Sequence, residues 1–147
     1  MTPFRPGVAL VGLMLASAAS LPAQGNHWER QVREQLQRAE VALQAKGTRG
    51  VAFTRAGNLN TEESASLTVT FEASVSYEIV GVCDNDCTSL GLVLATLSNN
   101  DIAADRTGES FPVLHFTPTV TASYRVKVLM RACQLNPCWY GVGVYRK

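Results

Sequence analysis

The clearest repeating pattern lies near the start of the chain, where apolar side chains recur every three or four residues. Between residues 27 and 46 these apolar positions are Trp28, Val32, Leu36, Ala39 and Leu43. This spacing places them on one side of an α-helix, with Gln, Glu and Arg on the other side. Asn26 followed by Glu29 resembles a capping box, and Gly47 is a natural helix stop. The pattern predicts one amphipathic helix within residues 24–47. Its stripe would pack on the strand-rich body or on a second copy of itself, with a partner protein's groove or a membrane surface as alternatives.

From Val51 onward the apolar residues alternate with polar ones, which is the period of a strand with one buried face. Residues 67–71 and 75–79 show the alternation most clearly, with Ala73 and Ser74 as the turn between them. Further strands are predicted at residues 92–97, 102–104, 112–116, 124–132 and 139–145. Turn-forming residues such as Asn99, Asn100 and Gly108 separate these strands.

Seven or eight short strands with no helical pattern between them indicate an all-β fold rather than a parallel α/β sheet. We therefore predict that residues 48–147 form an antiparallel β-sandwich, jelly-roll-like, preceded by the single amphipathic helix. About 95 residues suit such a fold well.

The first residues have the three-part layout of a secretory signal peptide. Arg5 precedes an apolar run over residues 8–15, and small residues follow at 16–20. The apolar run is too short to span a bilayer comfortably, so no stable membrane insertion is expected. Cleavage after Ala23 is the preferred interpretation, with an earlier site at residues 16–18 as the alternative. Residues 1–23 thus predict a periplasmic or secreted protein.

Charge excludes one class of partner. The chain of 147 residues has 13 basic and 12 acidic side chains, so it has the composition of one ordinary globular domain. Nucleic-acid binding needs a concentrated basic face, and here Lys and Arg are scattered among acids along the sequence. We expect no nucleic-acid partner.

Four cysteines take on a specific meaning once export is predicted. In an oxidising compartment an even number of cysteines indicates disulfides, whereas in the cytosol two close pairs would first suggest zinc. Three pairings are possible. In the chain-entropy model local loops gain about 2 kcal/mol each and a link from 83 to 133 gains about 4, but geometry and oxidation kinetics favour near neighbours. We predict the pairs Cys83 with Cys87 and Cys133 with Cys138.

Several strand motifs together carry a family resemblance. The segments are residues 77–84, 112–114, 116–118 and 124–126, with Gly57 and Leu59 ahead of them. Their order resembles the bacterial pre-peptidase C-terminal domains. The resemblance implies an exported jelly-roll-like sandwich, often appended to secreted proteases and in some relatives binding matrix or polysaccharide. Two departures stand out: this chain has no protease domain, and residues 89–92 replace the acidic residues of one family strand.

The last predicted strand offers a candidate ligand surface. Alternation places an apolar set on one face and aromatic and glycine residues on the other: Tyr140, Val142 and Val144, against Trp139, Gly141, Gly143 and Tyr145. Exposed, Trp139 and Tyr145 would form a platform for stacking sugar rings. The glycines also allow a bulge or the close approach of another chain segment, with Trp139 packed under the helix or on a disulfide.

Candidate chemistry is sparse, and no catalytic residue is predicted. His27 begins the helix, and His115 lies on a strand between two apolar residues, which indicates a solvent-facing position for both. The loop containing Asp84 and Asp86 could supply part of a calcium shell, although calcium needs six to eight oxygens. The alternative is a turn whose Asp side chains bond to their own backbone. No other cofactor is expected.

Two functional hypotheses from different classes follow. The first is a non-enzymatic binding or adhesion module that recognises a polysaccharide or an envelope or extracellular protein, through loops or an exposed sheet face. The second is a structural or assembly protein, in which the helix docks a partner or joins copies into a homo-oligomer. Its interface residues would be Trp28, Val32, Leu36 and Leu43. A hydrolase has the least support.

Overall fold

The computed structural model describes residues 25–147, and the predicted signal segment, residues 1–23, lies outside them. One helix and eight strands follow in order: α1 (Gly25–Gln44), β1 (Gly50–Leu59), β2 (Ser64–Phe71), β3 (Tyr77–Cys83), β4 (Cys87–Ala95), β5 (Asp101–Asp105), β6 (Val113–Phe116), β7 (Ala122–Cys133) and β8 (Cys138–Arg146). Within this part of the chain no helix is long and apolar enough to cross a bilayer.

The eight strands form two antiparallel sheets of four. Their orders are β1-β8-β3-β6 and β2-β7-β4-β5, so among the connections between consecutive strands only β4–β5 joins neighbours within one sheet. Alternation between two four-stranded sheets in this order is the arrangement of a jelly roll. The predicted antiparallel sandwich is confirmed. We call the first sheet the helix-covered sheet and the second the open sheet.

The main core lies between the two sheets. Its fully buried members include Phe71, Ile79, Leu92, Leu94, Val126, Val128, Val142 and Val144. Tyr140 also faces this core, so the inward face predicted for the last strand is the observed one. These side chains come from alternate positions of their strands, which is what a half-buried strand requires.

Helix α1 packs on the outer face of the helix-covered sheet. Val32, Leu36 and Leu43 are nearly fully buried there, against Val80 and other residues of β3 and β8. The predicted stripe therefore binds its own sheet. The hypothesis that Val32, Leu36 and Leu43 join copies or dock a partner is wrong, because their surface is already used. The fourth residue of that set, Trp28, is half-buried beside the ring of His27.

The helix ends through glycine, as predicted. Gly47 has a φ of +94°, which glycine adopts without a steric penalty. The amide of Thr48 donates to the carbonyl of Leu43 at 3.1 Å, the long-range bond of a Schellman motif. The helix proper begins and ends two residues earlier than the pattern indicated, and residues 45–47 form the closing turn.

The observed strands depart most from the pattern at β1, for which no bounds were predicted, and at β4; β3 also extends to Cys83, four residues beyond its predicted end. β1 had no clear alternation because it is an edge strand with mostly half-exposed residues and an irregularity between Val51 and Phe53. β4 begins at Cys87 rather than at residue 92, because register shifts near Ser89 interrupt the period of two. Bulges of this kind hide a strand from pattern reading.

Candidate functional site: the disulfide-bonded loops

Four connections gather at one end of the sandwich, which we call the disulfide end. They are residues 60–63, 84–86, 106–112 and 134–137, which follow β1, β3, β5 and β7. Both predicted disulfides are present: Cys83–Cys87 with a Cα–Cα distance of 5.9 Å, and Cys133–Cys138 with 5.8 Å. Cys87 and Cys133 are register partners on β4 and β7, so the two bridges lie side by side.

Hydrogen bonds join three of these loops. The amide of Gln134 donates to the carbonyl of Asp86 at 2.8 Å. The amide of Thr61 donates to Oδ1 of Asn136 at 2.9 Å. The amide of Cys133 donates to Oγ1 of Thr61 at 3.0 Å. The loop after β7 is thus held covalently at its base and by its neighbours on two sides.

Asp84 is the buried polar residue that connects this end to the sandwich, with 3% of its surface exposed. One carboxylate oxygen accepts from the amide of Trp139 at 2.6 Å, and the other accepts from the amides of Asp86 and Cys87, each at 3.2 Å. Burial raises the pKa of Asp84, and the three amides oppose that rise. The carboxylate therefore ties the turn after β3 to the start of β8.

The same contacts correct the calcium hypothesis. Both oxygens of Asp84 point at backbone amides, and Asp86 supplies its own amide to that turn. Among residues 25–147 no three His, Cys, Asp or Glu side chains are grouped as metal ligands. The structure assigns Asp84 and Asp86 to a hydrogen-bonded turn, which was the alternative interpretation.

Leu135 is the most exposed large apolar residue at the disulfide end. It lies in the loop closed by Cys133–Cys138, and 70% of its surface is exposed. Its neighbours Gln134, Asn136 and Pro137 are exposed as well. Phe111, on the loop after β5, exposes 47% of its surface at the same end. Here the sandwich presents apolar side chains on a restrained backbone.

The predicted aromatic platform is wrong. Tyr145 is 1% exposed, because α1 covers it, and its hydroxyl donates to the carbonyl of Leu36 at 3.2 Å. Burial, with a smaller effect from Glu40, raises the pKa of Tyr145 to about 12. Trp139 is half-buried against the same helix-facing cluster. A Cβ at Gly141 would come within 2.7 Å of Cγ1 of Val32, so this glycine marks the close approach of the helix.

Both histidines of the described chain lie at its surface. His115 is exposed, and its Nδ1 lies 3.9 Å from Glu78. His27 is exposed at the start of α1. Of three open depressions, two lie along the outer side of α1, lined by side chains such as Arg33, Glu34 and Gln37. The other lies between α1 and the strands and reaches Thr54 and Tyr145. Most of these lining groups belong to the surface of α1.

Leu135 and Thr61 carried no prediction from the sequence. For Leu135 a signal was present, since one apolar residue stands among Gln, Asn and Pro between two paired cysteines. A buried role is sterically difficult in so short a loop, which predicts exposure. For Thr61 no comparable signal exists, because its contact with Cys133 spans 72 positions of the chain.

No family model matches the chain, and no curated protein matches it. Among solved structures, a similar one is PliG of Aeromonas hydrophila, described as a periplasmic lysozyme inhibitor of g-type lysozyme. The two chains are 13% identical, the similarity covers 69% of this chain and 90% of that chain, and the TM-score is 0.49. Nothing about the function of the present chain follows from a similarity of this size.

Proposed function

We propose that this chain is an exported, non-enzymatic module that binds a partner protein through the loops of the disulfide end. One observation carries the proposal: Leu135 exposes 70% of its surface on a loop that a disulfide closes. Hydrogen bonds from Gln134 and to Asn136 hold that loop against its two neighbours.

The energetic reasoning concerns what a partner would gain. Burying a leucine side chain is worth about 1.5–3 kcal/mol. Ordering a flexible loop would cancel part of that gain, at about 0.5–1.5 kcal/mol for each immobilised side chain. A loop already restrained by Cys133–Cys138 avoids much of this cost. An apolar side chain on a restrained loop can therefore fill a partner's pocket at a small ordering cost.

A protein partner is favoured over a polysaccharide. Sugar binding was predicted from an exposed pair, Trp139 and Tyr145, and Tyr145 lies beneath α1. Leu135 and the half-exposed Phe111 offer apolar contacts that suit a pocket on a folded protein. The resemblance to pre-peptidase C-terminal domains stays a prediction, and the jelly-roll order agrees with the fold it implies.

Two disulfides support the export part of the proposal. All four cysteines are paired, and disulfides persist in the periplasm and outside the cell but rarely in the cytosol. The predicted signal segment at residues 1–23 agrees with this. We therefore expect the partner in the periplasm or the medium.

The test places a photo-crosslinking residue at position 135, with position 97 as its control. Leu97 is also exposed, by 50%, but it lies on the β4–β5 hairpin at the other end of the sandwich. In cells exporting these variants we expect a discrete crosslinked product from 135 alone. Wild-type protein without the crosslinking residue should compete for the partner and suppress this product. Leu135→Asp protein should not suppress it.

The crosslinked partner is then purified, and its affinity for each variant is measured by calorimetry. Leu135→Asp should weaken binding at least tenfold, equal to about 1.4 kcal/mol, and Leu97→Asp should leave it unchanged. Equal products from both positions, or equal suppression by Leu135→Asp, would overturn the proposal.

A further inference from the structure

The outer face of the open sheet carries a concentrated positive charge that the linear sequence conceals. On β7, Val126, Val128 and Met130 point into the core, so the outer face carries Arg125, Lys127 and Arg131, with Leu129 between the last two. Helix α1 packs on the other sheet, against β8, β1 and β3. Within residues 25–147 these cations therefore face solvent rather than a second layer.

Few acids neutralise this face. Arg106 forms an ion pair with Asp101 at 3.0 Å, and Lys127 lies 3.9 Å from the same carboxylate. The other acid of β5, Asp105, turns towards the gap between the sheets, where it accepts from the amide of Val113 at 3.0 Å. That hydrogen bond, the largest cause, lowers the pKa of Asp105. Among residues 25–147, Asp101 is thus the one carboxylate in an ion pair with this face, and it contacts two of its four cations.

Neutral acceptors hold two guanidinium groups in place. Arg125 donates to Oδ1 of Asn99 at 2.8 Å, and Arg131 donates to the carbonyl of Arg106 at 3.0 Å. Such bonds orient the side chains and leave their positive charge uncompensated. The adjacent edge strand β2 adds exposed hydroxyl groups to the same face, in register with β7: Ser64, Ser66, Thr68 and Thr70.

We propose that this basic face, defined by Arg106, Arg125, Lys127 and Arg131, binds an acidic, extended segment of a protein. Alternate residues of a strand, such as Arg125 and Lys127, are about 6.6–6.8 Å apart, and Arg131 follows one further repeat beyond Leu129. Acidic residues at every second position of an extended peptide fall on the same repeat. The hydroxyl groups of β2 can donate to carboxylates beside them. The binding surface is separate from the loop contact of Leu135, so either proposal can fail alone.

The probe is a fluorescein-labelled peptide in which Glu and Ser alternate, measured by fluorescence anisotropy against the oxidised protein. A peptide of equal composition with its Glu residues consecutive tests the spacing. We expect tighter binding of the alternating peptide at low salt. Binding should weaken as salt rises, since the screening length falls from about 10 Å at 0.1 M to about 3 Å at 1 M.

The variant Arg125→Gln, Lys127→Gln, Arg131→Gln should weaken binding at least roughly tenfold, since close opposite charges supply most of the contact. Its matched control is Arg30→Gln, Arg38→Gln, Lys46→Gln, on the exposed side of α1 and in its closing turn, which also removes two Arg and one Lys. Each set lowers the formal net charge of +1 by three. The control should bind like wild type.

Arg131→Gln alone keeps the test decisive if the triple variant unfolds, because Arg131 is exposed. It should weaken binding roughly threefold, as expected for the loss of one charge pair. The proposal is overturned by absence of binding at low salt, by equal losses in both triple variants, or by no preference for the alternating peptide. It is also overturned if heparin or duplex DNA displaces the labelled peptide at a lower concentration of negative charge than the unlabelled alternating peptide does.

Discussion

At the scale of single residues, Asp84 determines how the disulfide end is attached to the sandwich. Its carboxylate accepts three backbone hydrogen bonds from two segments far apart in sequence. An asparagine there has one acceptor oxygen and would turn an amide group towards a donor. Asp84→Asn should therefore lower the free energy of unfolding by about 1–3 kcal/mol in urea denaturation. Asp86→Asn, half-exposed and next but one along the chain, is the control and should change it by less than about 0.5 kcal/mol.

The difference in unfolding free energy between the wild type and Asp84→Asn should also depend on pH. Because burial raises the pKa of Asp84 above 3.8 in the folded state, the folded protein takes up its proton more readily than the unfolded chain does. Acidification through the range from the raised pKa down to 3.8 should thus stabilise the wild type relative to Asp84→Asn. Unfolding measured over that range provides the comparison. A difference that shrinks on acidification would mean that the three amides outweigh burial.

Residue patterns predicted one face of β8 and not the other. Alternation correctly placed Tyr140, Val142 and Val144 in the core. It could not say whether solvent or another segment lay against the opposite face, because period two distinguishes faces without identifying what covers them. Gly141 carried the relevant signal, since a missing side chain in a central strand indicates close approach.

At the scale of elements, α1 acts as the outer layer of one sheet. Leu36 is 6% exposed between α1 and that sheet, whereas Val41 is 62% exposed on the same helix. Leu36→Ala should lower the free energy of unfolding by about 2–4 kcal/mol, because it removes buried methyl groups and leaves a cavity. Val41→Ala should have less than about 0.5 kcal/mol of effect in the same urea titration. Equal effects would show that the helix is not packed as described.

The helix was predictable from its stripe and its stop, and its partner was not. Five apolar positions at helical spacing leave open whether the stripe meets its own sheet, a copy or another protein. The deciding feature is distributed over β3 and β8, where Val80, Val82 and Tyr145 form the complementary outward face. Predicting such a face from the sequence requires knowledge of which strands are neighbours. In the jelly-roll order β8 lies between β1 and β3.

The basic face could likewise be predicted from the sequence within one strand but not across strands. Arg125, Lys127 and Arg131 alternate with core residues, so their common side could be inferred from the sequence. The contribution of Arg106 could not, because it comes from the segment after β5, and β4 separates β5 from β7 in the open sheet. Scattered charges along the chain become concentrated once strands pair out of sequence order.

At the scale of the whole molecule, stability depends on oxidation. The two short disulfide loops each contribute about 2 kcal/mol in the chain-entropy model, a large share of the roughly 5–15 kcal/mol typical of a domain. Reduction should therefore lower the urea midpoint clearly, and either double variant, Cys83→Ala with Cys87→Ala or Cys133→Ala with Cys138→Ala, should lower it by about half as much. Protein recovered from the envelope should show no reactive thiols before reduction and a mass reduced by the signal segment. Full-length protein with four reactive thiols would contradict both export and the bridges.

The position of β8 has a consequence for the order of assembly. It pairs with β1 on one side and β3 on the other, although it is the last of the eight described strands in chain order. β1 has no other partner strand, and β3 has only β6, so the helix-covered sheet cannot be completed until β8 has left the ribosome. Contacts so distant along a chain form slowly. This chain would therefore still be unfolded when it reaches a translocation channel that accepts only unfolded polypeptide. Premature folding, the usual obstacle to threading, is delayed by the topology itself.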